Sequence, residues 1–240
     1  MDGRQRAAFT VDRYDRALLR PAADAEAYLQ AALSGPCRKK LRRNERRLAE
    51  LGRLQYVALE SGGDVGAWTE EFLRLEASGW KGRAGSAMAC AAAARAFFTA
   101  VAAEAFRRGR LMMLALRLDG RPIAQLCNFV SGRGSFAFKV AFDEAYAPFS
   151  PGVLLEAENI RRFHDRPDLG WMDSCAAMQP ALVDRLWTDR RLIETVLVDT
   201  GRAPGAFLVS CFPLLRWLRR RASSVRSWSR LPPRRPAEHG

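Results

Sequence analysis

The chain has 240 residues, 48% of them apolar and 10% aromatic, which is enough material for one large folded domain with extensions. No run of about eighteen apolar residues occurs, which argues against a transmembrane helix, and the polar N-terminus lacks the apolar segment of a secretory signal. A cytoplasmic protein is therefore expected. Five scattered cysteines without a CxxC pair and only two histidines disfavour a disulfide framework, a metal site and a Ser-His-Asp triad.

Positive charge is concentrated in two flanking segments. The formal net charge is +13, and residues 36–53 hold eight Lys or Arg against two Glu, a net charge of +6. Residues 202–240 hold nine Arg against one Glu, a net charge of +8. The rest of the chain is close to neutral, so any polyanion that binds is expected on the flanks rather than on the central domain.

The first elements in chain order are a lead-in over residues 1–33, with one or two helical turns near its end, and a basic linker helix over 34–53. Ser34 is the expected N-cap of this helix, which runs over 37–51 and stops at Gly52. Its apolar stripe is thin and its other residues are mostly Arg and Lys. The pattern predicts a helix on the surface of the protein, and the alternative to polyanion binding is an ordinary solvated face.

A strand over 54–60, a helix over 65–77, a loop over 78–82 and a long Ala-rich helix over 86–108 follow. The apolar residues of the first helix predicted to share one face are Trp68, Phe72 and Leu75. Those of the second predicted to face a core are Phe97, Phe98, Val101 and Phe106.

Three strands over 111–118, 122–130 and 135–142 form an antiparallel meander, because Asp119 and Gly120 are a strong hairpin signal and Gly-rich residues join the second strand to the third. Strand and helix then alternate to the end of the domain. The predicted segments are a helix from 151 to 163, a strand at 169–173, a helix at 180–191 and a strand at 194–199. An α+β domain over 54–200 is predicted, with a central mixed, mostly antiparallel sheet flanked by helices.

The residues from Phe138 to Arg162 combine a strand end, an acidic turn and a helix start. Ser150 is a candidate N-cap, Pro151 fits the first helical position, and Gly152 would let a ligand approach the backbone closely. The first turn of a helix presents free N–H groups that bind a pyrophosphate or carboxylate well. The alternative is the ordinary start of a capped helix.

Several blocks resemble a known family. They are RPIAQLCNFVSGRGSFAFKVAFDEAYAPFSPGVLLEAENI, LRRNERRLAELG and MDSCAAMQPALVDRLW, and together they cover about residues 34–200. The blocks resemble the CelD-like branch of GNAT (Gcn5-related) acetyltransferases, often named for cellulose biosynthesis, with FDEAY followed by SPGVLL as the most specific element. That branch is similar to the Fem-type peptidyltransferases, which use the same fold with an aminoacyl-tRNA donor.

The resemblance implies acyl transfer from acetyl-CoA or another acyl-CoA to an amine or hydroxyl, for example on a small molecule or glycan precursor in cell-envelope or polysaccharide metabolism. It also implies a donor cleft where the strand ending at Val140 and Phe142 parts from its neighbour, with the pyrophosphate on Ser150, Pro151 and Gly152. The chain departs from the usual loop R/Q-x-x-G-x-G/A, because only the final glycine corresponds. No metal is implied.

Four side chains near this cleft are candidates for chemistry. Asp143 is the first candidate for a base or an acceptor-binding carboxylate, and its alternative role is to cap the turn after the strand. Asp173 ends a strand expected at the same edge of the sheet, or else caps the loop that follows. Tyr146 is the candidate general acid, or else a packing residue. Lys139 would neutralise donor phosphate or a substrate carboxylate, or else faces solvent.

Three functional classes follow: an acyl-CoA-dependent acyltransferase, a Fem-like transferase whose basic helix tracks tRNA, and a non-catalytic GNAT-fold binding protein. Relatives in the branch usually carry a preceding GNAT-like half, whereas only about 33 residues precede the linker helix here. The alternatives are a natural short form, a start that is placed too late, or a partner chain that supplies the missing half, and a homodimer is expected if an exposed face is apolar. In the extension over 201–240, the apolar residues 207–218 precede an Arg-rich tail containing Trp217 and Trp228. This tail suits the anionic inner face of a membrane, and its alternative is a packed helix followed by a partly disordered tail.

Overall fold

The computed structural model describes residues 8–176, 186–199, 205, 207 and 209–214. The strands of these residues are β1 (Ala8–Leu19), β2 (Leu54–Ala58), β3 (Leu111–Leu118), β4 (Arg121–Ser131), β5 (Gly134–Phe142), β6 (Trp171–Asp173) and β7 (Asp189–Val198). The α-helices are α1 (Ala25–Ala32), α2 (Gly35–Ala49), α3 (Val65–Ser78), α4 (Trp80–Arg83), α5 (Ala92–Arg107) and α6 (Pro151–His164). Short 3-10 helices lie at Met88–Cys90 and Glu144–Phe149.

The strands form one mixed sheet in the order β2-β3-β4-β5-β6-β1-β7. β2 to β5 pair as antiparallel neighbours, whereas β5 and β6 are parallel and are joined by α6. The predicted α+β architecture, a mostly antiparallel sheet flanked by helices, is confirmed. The predicted meander is confirmed too: Asp119 (φ 50°) and Gly120 (φ 79°) both adopt the positive φ that a tight two-residue hairpin needs.

Helices cover both faces of the sheet between Asp15 and Arg191. On one face, Phe72 of α3 and Phe98 of α5 pack in a cluster that also contains Met113 of β3. On the other face, α1, α2 and α6 pack in two clusters that include Leu48, Leu155 and Phe163. Burial of these side chains is the main source of stability, at roughly 25 cal/mol per Å² of apolar surface. The sheet is therefore held in a fixed position between two helical layers.

The chain divides into two units, one over Asp15–Arg191 and the other over residues 1–14 and 192–240. In the second unit the described residues include the outer parts of β1 and β7, where Arg13 pairs with Glu194. In that unit, too, the rings of Phe9 and Phe212 lie 5.5 Å apart. Everything that bears on the candidate site lies in the unit Asp15–Arg191.

Several helix ends agree with the sequence pattern. The hydroxyl of Ser34 accepts the Cys37 amide at the start of α2, as predicted, and α6 begins at Pro151. Gly109 has a φ of 65° just after α5, and the amide of Arg110 donates to the carbonyl of Ala105. That bond is typical of a glycine-terminated helix.

Other predictions were wrong. The lead-in contains the twelve-residue strand β1, and the predicted loop 78–82 contains α4. α5 begins at Ala92 rather than near residue 86, and its Phe97 is 62% exposed rather than in the core. The predicted helix 180–191 ends in strand β7 from Asp189 onward, while its residues 180–185 lie outside the described residues, as do residues 215–240 of the tail.

Within the described residues no single helix is long and apolar enough to cross a membrane, although the segments Trp80–Cys90 and Ala92–Arg107, bent by 66°, satisfy length and composition when taken together.

Candidate functional site

Strands β5 and β6 part shortly after they meet. They pair in parallel over only three residues, from Gly134 opposite Trp171 to Phe136 opposite Asp173. β5 then continues to Phe142, and no other described strand pairs with this edge of β5. The ring of Trp171 covers Gly134 so closely that a Cβ there would lie 2.2 Å from it. The junction is thus tightly packed, and beyond it the β5 backbone has a free edge.

A β-bulge changes the direction of the side chains of β5 just after its junction with β6. Cys127 pairs with Lys139 and the adjacent Asn128 pairs with Ala137, so Phe138 is an extra residue in β5. The Phe138 ring stacks on Phe98 of α5 at 5.8 Å. Lys139 also points toward the helices, where it contacts Glu76 of α3, because the bulge interrupts the alternation of side chains between the two faces of the sheet. Two consecutive side chains of β5 therefore face α3 and α5.

A cleft of about 460 Å³ lies beside the free edge, between β5, the end of α3 and α4. Its apolar lining includes Leu75, Trp80, Val140 and Phe142. Its polar lining includes Glu76, Lys81 and Glu144. The volume falls within the usual range for sites that hold a small ligand, and few polar groups converge in such sites.

Glu76 is a buried carboxylate at the side of this cleft, and its side chain is 0% exposed. It accepts a hydrogen bond from the Lys139 ammonium (2.7 Å) and one from the Met88 amide (2.9 Å), and the Lys81 ammonium lies 3.5 Å away. Burial alone would raise the pKa of Glu76, but the Lys139 and Met88 hydrogen bonds and both lysine charges hold that pKa below its usual value. The carboxylate is therefore ionised near neutral pH.

Glu144 ties α4 to the end of β5. Its carboxylate accepts hydrogen bonds from the Trp80 amide (2.6 Å) and the Arg83 guanidinium (2.7 Å). The Arg83 hydrogen bond, together with that from Trp80, lowers the pKa of Glu144. A Cβ at Gly79 would lie 3.1 Å from this carboxylate, so the glycine lets the two elements approach. Glu144 thereby fixes one wall of the cleft.

Asp143 and Tyr146 lie in the turn that follows β5. One Asp143 oxygen accepts the Ala145 amide (3.0 Å) and the other pairs with Arg121 (3.1 Å), so the predicted turn-capping role of Asp143 is confirmed. Tyr146 is half-buried and packs against the cluster that contains Leu155. Catalytic roles for Asp143 and Tyr146 stay predictions.

Asp173 lies where β5 and β6 separate. Its side chain is 3% exposed and pairs with Arg191 (3.0 Å) and more loosely with Arg16 (3.5 Å). It also accepts the Cys175 amide, which confirms the predicted loop cap. Because Asp173 is opposite Phe136, it is on the order of 20 Å along the sheet from Asp143. The two predicted carboxylates are therefore not brought together.

The predicted phosphate-binding turn is compact. Ser150 has a left-handed backbone (φ 56°) and its hydroxyl makes no capping bond, unlike the predicted N-cap. Pro151 and Gly152 are buried. The Asn44 side chain donates to the Phe149 carbonyl, and the Arg47 guanidinium lies 5.1 Å from the Phe149 ring. A cation of α2 thus lies close to the start of α6.

Glu76, Lys81 and Trp80 were not predicted from the sequence as site residues. A signal was present, since Glu76 falls among the apolar residues of a predicted helix, where a carboxylate needs a partner. Among the described residues, no group of three or more His, Cys, Asp or Glu side chains is arranged to hold a metal ion.

A mixed sheet whose two parallel neighbours part beside a cleft, with a helix connecting them, defines a GNAT-type acyltransferase domain. The family model described as acetyltransferase (GNAT) domain matches residues 36–179, and the chain belongs to this family. No curated protein matches the chain significantly.

Solved structures with a similar fold share little sequence with the chain. FemX has a TM-score of 0.51 at 9% identity, over 75% of this chain and 59% of FemX. A GCN5-related N-acetyltransferase from Kribbella flavida has a TM-score of 0.41 at 12% identity, over 81% and 61% of the two chains. L-PGS from Bacillus licheniformis has a TM-score of 0.46 at 12% identity, over 85% and 65%. The chain spans less than two thirds of each of these proteins.

Proposed function

We propose that the protein transfers an acyl group from acetyl-CoA or another acyl-CoA to an amine or hydroxyl acceptor. The observation that carries the proposal is the parting of β5 and β6 after three paired residues, which leaves backbone N–H and C=O groups on the free edge of β5. Membership of the GNAT family supports it. The CelD-like resemblance extends the proposal to an acceptor from cell-envelope or polysaccharide metabolism.

In this proposal the donor lies along Val140 and Phe142 on the free edge, with its pyrophosphate at the first turn of α6. Pro151 has no N–H and the Val153 amide donates to the Ser150 carbonyl, so the Gly152 amide and the helix dipole would hold the phosphate oxygens. The nearby Arg47 supports this assignment because it adds a positive charge next to Phe149.

The proposed reaction joins the acceptor nitrogen or oxygen to the thioester carbonyl carbon and breaks the carbon–sulfur bond. The acceptor loses one proton and the sulfur gains one, so the products are an amide or ester and free coenzyme A thiol. Asp143 is the proposed base for the first proton and Tyr146 the proposed acid for the second. Asp173 would act indirectly, because its ion pairs hold the junction from which the strands separate.

Replacing Ser150 by aspartate is expected to weaken binding of acetyl-CoA by about tenfold or more, because a carboxylate at the first turn of α6 repels the pyrophosphate. Ser150→Asn is the matched control, since asparagine has the same shape without the charge. Both residues accept the left-handed backbone that Ser150 adopts. Calorimetric titration with acetyl-CoA measures the effect.

Ser150→Asn is expected to bind acetyl-CoA within about threefold of the unsubstituted protein. If the unsubstituted protein shows no saturable binding of acetyl-CoA or longer acyl-CoAs, the proposed donor is wrong. If Ser150→Asp and Ser150→Asn bind equally well, the phosphate does not lie at α6.

Asp143→Asn is expected to lower turnover by at least about tenfold, measured as release of coenzyme A thiol with an active acceptor. Asparagine keeps an oxygen for the Ala145 amide, so the turn after β5 should survive. Unchanged turnover would leave Asp143 as a turn cap only. Arg121→Met is the control, because it removes the ion pair of Asp143 but not its carboxylate.

A second candidate, a Fem-like aminoacyl transferase, is favoured by one observation on α2. Its apolar Leu41 and Leu48 pack inward, which leaves a face of exposed cations. These are Lys39, Lys40, Arg42, Arg43, Arg46 and Arg47. Strong, salt-sensitive binding of aminoacyl-tRNA without acyl-CoA binding would favour this candidate.

A further inference from the structure

The cluster of charged side chains at the cleft beside β5 contains more positive than negative charge. Lys139 and Lys81 both point at the single carboxylate of Glu76, with their ammonium nitrogens 2.7 and 3.5 Å from the same oxygen. The other carboxylate of the cleft, Glu144, is already paired with Arg83. One positive charge is therefore left without a counter-charge among these groups.

Lys81 carries this charge to the cleft, because Lys81 lines the cleft whereas Lys139 pairs with Glu76 behind it. The side chains of Lys139 and Lys81 are 27% and 29% exposed, whereas Glu76 is fully covered. A small anion that enters the cleft would thus meet the Lys81 ammonium, since the Glu76 side chain is fully covered and is paired with Lys139. Because the ammoniums have lost part of their hydration, pairing with an anion is stronger here than on an open surface.

The rest of the cleft favours an apolar group. Trp80 is 58% exposed and Phe142 is 37% exposed, although large aromatic side chains are usually covered. Leu75 and Val140 add aliphatic surface, and the volume of about 460 Å³ suits a molecule of amino-acid size or somewhat larger. An occupant would cover these exposed side chains.

We infer that this cleft binds an acyl acceptor that carries one carboxylate next to an apolar group, with the carboxylate on Lys81. An α-amino acid with an apolar side chain has this chemistry and also has the amine that acyl transfer needs. The inference rests on the proposed function only in treating the bound molecule as the acceptor, since the charge and lining of the cleft do not depend on the donor.

Binding of the carboxylate is tested without any donor. The probes are 4-methylpentanoate and the neutral 4-methylpentanamide, titrated into the full chain and followed by calorimetry. We expect the carboxylate to bind at least about tenfold more tightly than the amide. Lys81→Met should remove most of this difference, and Lys81→Arg should retain it. Arg108→Met, which removes an exposed charge just after α5, should leave it unchanged.

Lys81 is chosen because its contact with Glu76 is the looser one, so its loss leaves Glu76 paired with Lys139. Equal binding of the two probes, or equal loss in Lys81→Met and Arg108→Met, would overturn the inference. The acceptor role is tested separately by thiol release from acetyl-CoA with leucine or leucinamide. A preference for leucine of at least about tenfold that disappears in Lys81→Met is expected, and a preference for leucinamide overturns it.

Failure of the inference and failure of the proposed function give different results. Selective binding of 4-methylpentanoate without any binding of acetyl-CoA would refute the donor and leave the carboxylate site intact. Binding of acetyl-CoA with no selectivity between the two probes would refute the carboxylate site and leave acyl transfer intact.

Discussion

Between pH 5 and pH 8 the free energy of unfolding of the protein is expected to fall by about 3 kcal/mol, and replacing Glu156 by glutamine is expected to abolish this fall. Glu156 lies on the inner face of α6, where it accepts hydrogen bonds from Trp187 and Asn159, both at 3.0 Å. Burial raises the pKa of Glu156 to about 7. The raised pKa makes this carboxyl group a source of pH-dependent stability.

The sign of this pH dependence follows from the difference between the pKa values of Glu156 in the folded and the unfolded protein. The folded protein binds this proton more tightly than the unfolded chain, whose carboxyl has a pKa near 4.5. The stabilisation is fully present below pH 4.5 and is lost as the pH rises through about 7. Glutamine keeps an oxygen for Trp187 and Asn159 but does not titrate, so the variant should be more stable than the unsubstituted protein at pH 8.

Denaturant unfolding at pH 5, 6.5 and 8 measures this difference. Glu104→Gln is the control, because hydrogen bonds from Arg107 and Arg108 hold the pKa of the exposed Glu104 at about 2, outside the tested range. Glu104→Gln should therefore keep the pH dependence of the unsubstituted protein. A stability that does not fall between pH 5 and pH 8, or that falls equally in Glu156→Gln, would contradict the assignment.

Elements with strong local signals were predictable from the sequence. The meander follows from apolar strands joined at Asp119 and Gly120, whose backbones take the positive φ that this turn requires. The starts of α2 and α6 follow from Ser34 and Pro151. In each case neighbouring residues determine the geometry, so no knowledge of distant contacts is needed.

Strand β1 was not predictable in the same way. Its sequence AFTVDRYDRALL contains charged residues, and its pairing with β6 joins Leu18 to Asp173 across more than half the chain. Such a strand is stabilised by its neighbour in the sheet rather than by a local pattern. The predicted lead-in therefore lacked the strand that extends the sheet.

In the candidate site, too, local motifs were predictable from the sequence and contacts between distant residues were not. The acidic turn after β5 and the start of α6 were found as a local motif, and the structure has both. Lys139 was a candidate, but its partners Glu76 and Lys81 were missed, because α3, α4 and β5 bring the three residues together only in the folded chain. The bulge at Phe138, which directs Lys139 toward Glu76, leaves no clear mark in the sequence.

Asp173→Asn is expected to lower the free energy of unfolding by roughly 3 kcal/mol, because it removes a buried negative charge that pairs with two partly buried guanidinium groups. Arg16 and Arg191 are only 20% and 32% exposed, so water compensates them incompletely. Arg191 also lies 4.1 Å from the ring of Trp171, which covers the junction of β5 and β6. The loss of stability should therefore be greatest at the junction where β5 and β6 part.

Asp168→Asn is the matched control, since Asp168 pairs with Arg166 at the surface and an exposed pair contributes about 1 kcal/mol or less. Chemical denaturation compares both variants with the unsubstituted protein. The amide oxygen of Asp173→Asn still accepts the Cys175 N–H, so the measured loss of stability reports the charge and not the loop cap.

A variant that stays as stable as the unsubstituted protein but loses turnover would instead support the predicted catalytic role of Asp173. A large loss of stability identifies its carboxylate as a charge that stabilises the junction of β5 and β6.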